Sequence, residues 1–168
     1  MDARFSARDI VDAIILRHEN ASRYGRLTTM KLQKLLCAAH GLSLASGAAL
    51  VDGQFQAWDD GPVFYEVFSL FKGRKYLSIN DVSSTDDSVL DGVESDAIDE
   101  AIGLYGDFSG DALSDISHAA QPWSDAWATG KNTPIGNDSL ALHYQGVRDS
   151  QVSDSEADKL VEKLLGSL

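Results

Sequence analysis

The apolar positions of this chain recur with a period near 3.6 over helix-length runs, broken once by a short alternating stretch. Ile10, Val11, Ile14, Ile15 and His18 share one face of a helix opened by Ser6-Ala7-Arg8-Asp9, a capping box with Phe5 and Ile10 spaced as a staple. It is expected to fray through Asn20-Ala21-Ser22. Leu32, Leu35, Leu36, Ala39 and Leu42 repeat the pattern in a second helix, capped by Thr28 and stopped by Gly47, with Lys31 and Lys34 expected to face outward. Gly41 inside that helix is unfavourable by about 1 kcal/mol against Ala, so a close neighbour is expected there, the hairpin or the third helix.

Residues 50–58 read as a small β-hairpin turning at Asp52-Gly53, the pair preferred in a two-residue type I′ turn. The chain then turns through Asp59-Asp60-Gly61-Pro62. Pro62 suits a first helical turn, so Gly61 or Asp60 is expected to cap a third helix with Val63, Phe64, Val67, Phe68 and Phe71 on one face and Lys72-Gly73 at its end. A polar loop over 74–92 leaves room for one short strand. The helix predicted over 94–105 turns Ile98, Ala101, Ile102 and Tyr105 inward and Asp96, Asp99 and Glu100 outward. Ser109 caps another, with Phe108 and Leu113 as staple. Pro122 starts a short helix holding Trp123, Ala126 and Trp127, and Asn137-Asp138 opens one containing Leu140 and Tyr144. Ser153-Asp154-Ser155-Glu156, a further capping box, opens a last amphipathic helix over about 154–166 with the stripe Ala157, Leu160, Val161, Leu164 and Leu165. The pattern as a whole predicts a mostly α, compact single-domain helical fold over 1–168 with one small β-hairpin inserted between helices.

Composition narrows the function. At 168 residues and 43% hydrophobic content one sizeable core can form, and no apolar stretch approaches 18 residues, so neither a signal peptide nor a membrane span is expected and a cytoplasmic location follows. Cys37 is the single cysteine and reads as a buried apolar group. The four histidines form no metal-ligand spacing, and no phosphate-cradling loop or nucleophile elbow occurs, so no cofactor or metal is expected. The net charge of -12 is segregated: residues 76–130 carry twelve acids and no Lys or Arg. Such a surface repels phosphates, which disfavours direct nucleic-acid binding, and it would attract a basic protein. The alternative is a solvated face that maintains solubility.

Two carboxylates before a helix commonly offset its dipole, which is the first reading of Asp59 and Asp60. An acid/base hydrolase using Asp59, Asp60 and His118 is the weaker one. Trp58, Gly61, Pro62, His118 and Trp123 read as structural, with His118 hydrogen-bonded near a helix end.

The order of motifs resembles the Panacea domain family of SocA-like antitoxins. The matching stretches are Leu27 to Leu36, Ala57-Trp58-Asp59-Asp60-Gly61-Pro62-Val63, Tyr105-Gly106, Leu113-Ser114, and His118 with Trp123, spanning roughly residues 6–145. The resemblance implies a non-enzymatic protein that binds and neutralises a cognate toxin, as in type II toxin–antitoxin systems. An adaptor that hands a bound toxin to a protease is the runner-up, and self-association stays open. Asp59, Asp60 and Tyr65 near the hairpin, together with Asp96, Asp99 and Glu100 on the acidic helix, are the candidate partner-binding residues. Tyr65 is the expected anchor and the acids are expected to speed association.

Overall fold

Thirteen consecutive residues, Lys31 to Ser43, are buried, and the helix that carries them, α2 (Thr29–Ala45), is the axis of the fold. The structure is a computed structural model and describes residues 2–167. Around α2 pack α1 (Ala7–Asn20), α4 (Gly92–Tyr105), α5 (Gly110–Ala119) and the first half of α7 (Asn137–Gly166). Ile10, Ile14, Leu32, Leu35, Leu36 and Ile98 meet in the resulting core. The expected N-caps form: Ser6 Oγ accepts from Asp9 N at 3.1 Å, Thr28 Oγ1 from Lys31 N at 3.0 Å and Ser109 Oγ from Ala112 N at 3.1 Å. Each satisfies one backbone N–H that the helix itself leaves free.

Being surrounded leaves α2 no outward face, and this overturns the expectation for Lys31 and Lys34, which are 2% and 5% exposed. A buried polar group is costly unless hydrogen-bonded, and the polar side chains of α2 bond to the chain segments wrapped around it. Lys31 Nζ donates to Gly106 O just beyond α4 at 2.5 Å and to Tyr24 O at 3.3 Å. Gln33 accepts from Phe64 N at 2.8 Å and donates to Phe64 O at 3.3 Å. His40 Nδ1 accepts from Leu50 N at 3.2 Å and Val51 N at 3.4 Å, so its proton sits on Nε2, which meets Asn137 Oδ1 at 3.1 Å. Ser43 Oγ donates to Ala48 O at 2.7 Å.

Those contacts explain where the hairpin is. With the N–H groups of Leu50 and Val51 drawn to His40, residues 50–53 form no strand, and the expected turn at Asp52-Gly53 is only a bend. The hairpin is instead β2 (Gln56–Trp58) against β3 (Gly61–Val63), antiparallel, with Trp58 opposite Gly61 and Ala57 opposite Pro62. The other side of β2 is held by residues 132–135: Ala57 N donates to Thr133 O at 2.9 Å and Ile135 N donates to Phe55 O at 2.7 Å. Pro62 therefore lies in a strand and neither Gly61 nor Asp60 caps a helix. α3 (Tyr65–Leu70) starts later, capped by Phe64, because Gln33 holds both backbone groups of Phe64 in extended form. The apolar face of this segment is as expected, with Val63, Phe64, Val67 and Phe71 buried and Phe68 half-buried.

In the polar loop the short strand β4 (Tyr76–Leu77) forms, pairing antiparallel with β1 (Leu27–Thr28). α6 (Gln121–Thr129) carries Pro122 in its first turn and ends at Gly130, as expected. Phe108 is 43% exposed and does not staple α5.

The two predicted C-terminal helices are one, α7, unbroken over 30 residues, and Ser153 is a mid-helix residue, not a cap. Its first half is bound to the body. Leu140 is buried, and the ring of Tyr144 fills the space left by Gly41 so closely that a Cβ there would overlap it. Gly41 thus makes room for α7, not for the hairpin or α3. Arg148 reaches back to Glu100, Ser46 and Leu42. From Asp149 onward every described residue is exposed, the stripe included, with Leu160 at 58% and Leu165 at 64%. Among the described residues no helix is long and apolar enough to cross a membrane.

Candidate partner-binding site

The turn at Asp59-Asp60 is built from the inside. Both aspartates have negative φ, which a type I′ turn does not allow, and Gly61 follows at φ 118°, a left-handed value that favours glycine. A Cβ on Gly61 would come within 2.8 Å of Lys34 Cε and 3.3 Å of Ser117 Cβ. Four carbonyls of this turn each meet a side chain from α2, α5 or α6. Trp123 Nε1 donates to Trp58 O at 2.9 Å, His118 Nε2 to Asp59 O at 2.7 Å, Ser114 Oγ to Asp60 O at 2.6 Å and Lys34 Nζ to Pro62 O at 3.3 Å. The rings of His118 and Trp123 lie 4.3 Å apart, and Trp123 stacks on Trp127 at 5.2 Å.

With its carbonyls so held, the turn leaves both aspartates exposed. His118 is committed to the backbone of Asp59 and not to a carboxylate. Trp58, Gly61, Pro62, His118 and Trp123 are all parts of this turn or of the hydrogen bonds that hold it.

Beside the turn lies a cleft of about 510 Å³ between the start of α2, the hairpin and α3. Leu32, Val63, Val67, Phe68 and Phe71 give it an apolar floor; Asp59, Asp60, Lys72, Arg74 and Lys131 stand among its lining. Trp58 and Phe68, with ring centroids 5.0 Å apart, form one wall. Tyr65 stands against the outer side of that wall, 6.5 Å from Trp58 and 6.0 Å from Phe68, and is 56% exposed. The structure thus places Asp59 and Asp60 in the lining of the cleft, whereas Tyr65 lies outside that lining, against Trp58 and Phe68.

The acids of α4 are elsewhere and line no part of it. Asp96 is exposed. Asp99 pairs with Arg17 Nη1 at 3.1 Å, and Glu100 takes Arg148 through both oxygens at 3.0 and 2.8 Å. Asp87, Asp91 and Glu94 likewise bind Arg17 and Arg4. Part of the acidic segment therefore serves to tie α1, α4 and α7 together.

Sequence reasoning missed Gln33 and Lys34 as members of this site. The available signal was a helix whose polar residues fell among apolar ones with no clean polar face. Burial drives the Lys34 ammonium down to a pKa of about 8, with Cys37 and Asp60 pulling weakly the other way, and the same burial raises the Cys37 thiol to about 12. No cluster of three or more His, Cys, Asp or Glu able to hold a metal occurs among the described residues.

Comparison with known proteins places these features. A family model described as "Antitoxin SocA-like, Panacea domain" matches residues 32–124, which contain most of α2, the hairpin, the cleft floor, α4 and α5, and His118 with Trp123. Antitoxin SocA of Caulobacter vibrioides (strain NA1000 / CB15N) is 34% identical over 125 residues, covering 66% of this chain and 64% of the relative, so the chain spans less than two thirds of that relative's length. No solved structure matches.

Proposed function

The chain belongs to the SocA-like antitoxin, Panacea domain family, and from that premise we propose that it is the antitoxin of a type II toxin–antitoxin pair and neutralises its toxin by direct protein–protein binding, without catalysis. The observation that carries the binding surface is the exposed Tyr65 against the Trp58–Phe68 wall of an apolar cleft. Aromatic side chains anchored beside a concave apolar surface are the usual energetic centre of a protein interface. Asp59 and Asp60 form the polar rim. The α4 acids act at longer range on the encounter, with Asp96 the freest of them, since Asp99 and Glu100 already hold arginines.

The test is co-expression with the product of the adjoining gene, followed by stopped-flow binding of the purified pair. The chain is expected to restore growth and to bind directly. Tyr65→Ala is expected to raise the dissociation rate at least about tenfold with little effect on association. Asp96→Asn should slow association and reduce its dependence on salt. Rescue of growth without a detectable complex would overturn direct neutralisation.

A further inference from the structure

Lys31 and Lys34 are both buried on α2, yet they are not equally satisfied. The Lys31 ammonium has two carbonyl acceptors, Gly106 O and Tyr24 O. Lys34 Nζ has one, Pro62 O, at a long 3.3 Å, and among the described residues no carboxylate lies within 4.0 Å of it. An ammonium carries three N–H donors, and a buried cation with idle donors is an unfavourable state that an anion would relieve. Lys34 lines the apolar cleft beside Trp58 and Phe68.

We infer that the cleft accepts a segment of the partner protein in which a Glu or Asp side chain stands next to a bulky apolar residue, the carboxylate reaching Lys34 and the apolar group covering the floor made by Val63, Val67 and Phe71. This rests on the reading of the cleft as a toxin-binding surface. A side-chain carboxylate fits better than a chain terminus, because sinking a terminus to that depth would also bury peptide N–H and C=O groups for which the apolar floor offers no partners. The exposed Asp59 and Asp60 at the rim hold further anions away and favour one acidic group over an acidic run.

The charged and titratable groups around Lys34 are Cys37 and Lys31 on its own helix, Asp59 and Asp60 on the hairpin, His118 on α5, Lys72 and Arg74 after α3, and Lys131 after α6. Burial has already brought the free ammonium to a pKa of about 8, so a carboxylate that needs the charged form should bind less well as pH rises past that value.

The test avoids the toxin, so that its failure and the failure of the antitoxin reading are distinguishable. Acetyl-Phe-Glu-Leu-amide and its Gln counterpart are titrated into the full chain at pH 7, following the Trp58, Phe68 and Lys34 resonances. The Glu peptide is expected to bind at least about tenfold more tightly than the Gln peptide. That preference should shrink between pH 7 and 9.5, and Lys34→Met should abolish it. Should Lys34→Met fail to fold, the Glu-versus-Gln ratio across pH in the unaltered chain still decides. Equal binding of the two peptides, binding of neither, or a preference that persists in Lys34→Met or is indifferent to pH would each overturn the inference, whatever the toxin experiment shows.

Discussion

Trp123, His118, Ser114 and Lys34 are all far in the chain from one five-residue segment, and each ends on one of its carbonyls. That segment has few other restraints, since β2 and β3 are only three residues each, and two short strands alone are marginal in water. Its shape is therefore set by side-chain donors, and Gly61 is where the shape is least tolerant. Any Cβ there meets Lys34 and Ser117 at a φ of 118°. Gly61→Ala is expected to destabilise by about 2 kcal/mol or more, a fall in melting temperature of roughly 4–8 °C. Thermal unfolding followed by circular dichroism checks it, and an unchanged midpoint would show that the turn relaxes freely.

At the scale of elements, α7 is two different things in one continuous helix. Its first half is held by Leu140, by Tyr144 over Gly41 and by Arg148, whereas its second half has an apolar stripe that stays exposed among the described residues. Hydrophobic stabilisation follows area removed from water, so the same residue type should matter in one half only. Leu140→Ala is expected to cost about 2–5 kcal/mol, while Leu160→Glu in the isolated protein should stay within about 0.5 kcal/mol. Gly41→Ala, although favourable by helix propensity, should destabilise by driving Tyr144 off α2. Urea denaturation of the three variants separates these expectations. Comparable losses for Leu140→Ala and Leu160→Glu would mean that the second half folds back onto the body.

For the molecule as a whole, the buried histidines set how stability responds to pH. His18, 2% exposed with no partner on Nε2 among the described residues, is depressed to a pKa of about 4, by burial first and by Lys31 second. His40 is lowered too, by burial, against the hydrogen bond it donates to Asn137 Oδ1. Groups whose folded pKa lies below the unfolded value of about 6.5 leave the unfolded chain binding more protons below that pH. Stability is therefore fully present above pH 6.5 and is lost as pH falls toward about 4, with His18 contributing at most on the order of 3 kcal/mol. Protonating His40 would also displace the N–H groups of Leu50 and Val51 from Nδ1. Urea midpoints between pH 7 and 4.5 should fall, and fall less in His18→Leu. An identical slope in that variant would assign the loss to other groups.

What the sequence by itself determined is what depends on neighbours a few residues away. The caps at Ser6, Thr28 and Ser109, the stops at Gly47 and Gly130, the apolar faces of α1, α4 and the Val63–Phe71 segment, and the mostly helical class all follow from local spacing and local hydrogen bonds. Motif order pointed to the family as well, because the residues that clamp the turn are the ones the family pattern contains. The tertiary structure decided whatever depends on how many sides of an element are covered. Lys31 and Lys34 look outward on a helix seen alone and are buried once four helices surround it. Asp52-Gly53 has good hairpin chemistry, yet His40 takes the N–H groups its ladder would need, and residues 132–135 take the edge of β2 instead. Ser153-Asp154-Ser155-Glu156 has the form of a cap, but a helix already running from Asn137 does not stop there, since the propensity of the intervening residues suffices to continue it. The cleft belongs to the same category: its floor, its aromatic wall and its under-coordinated lysine come from three segments whose proximity no local pattern encodes.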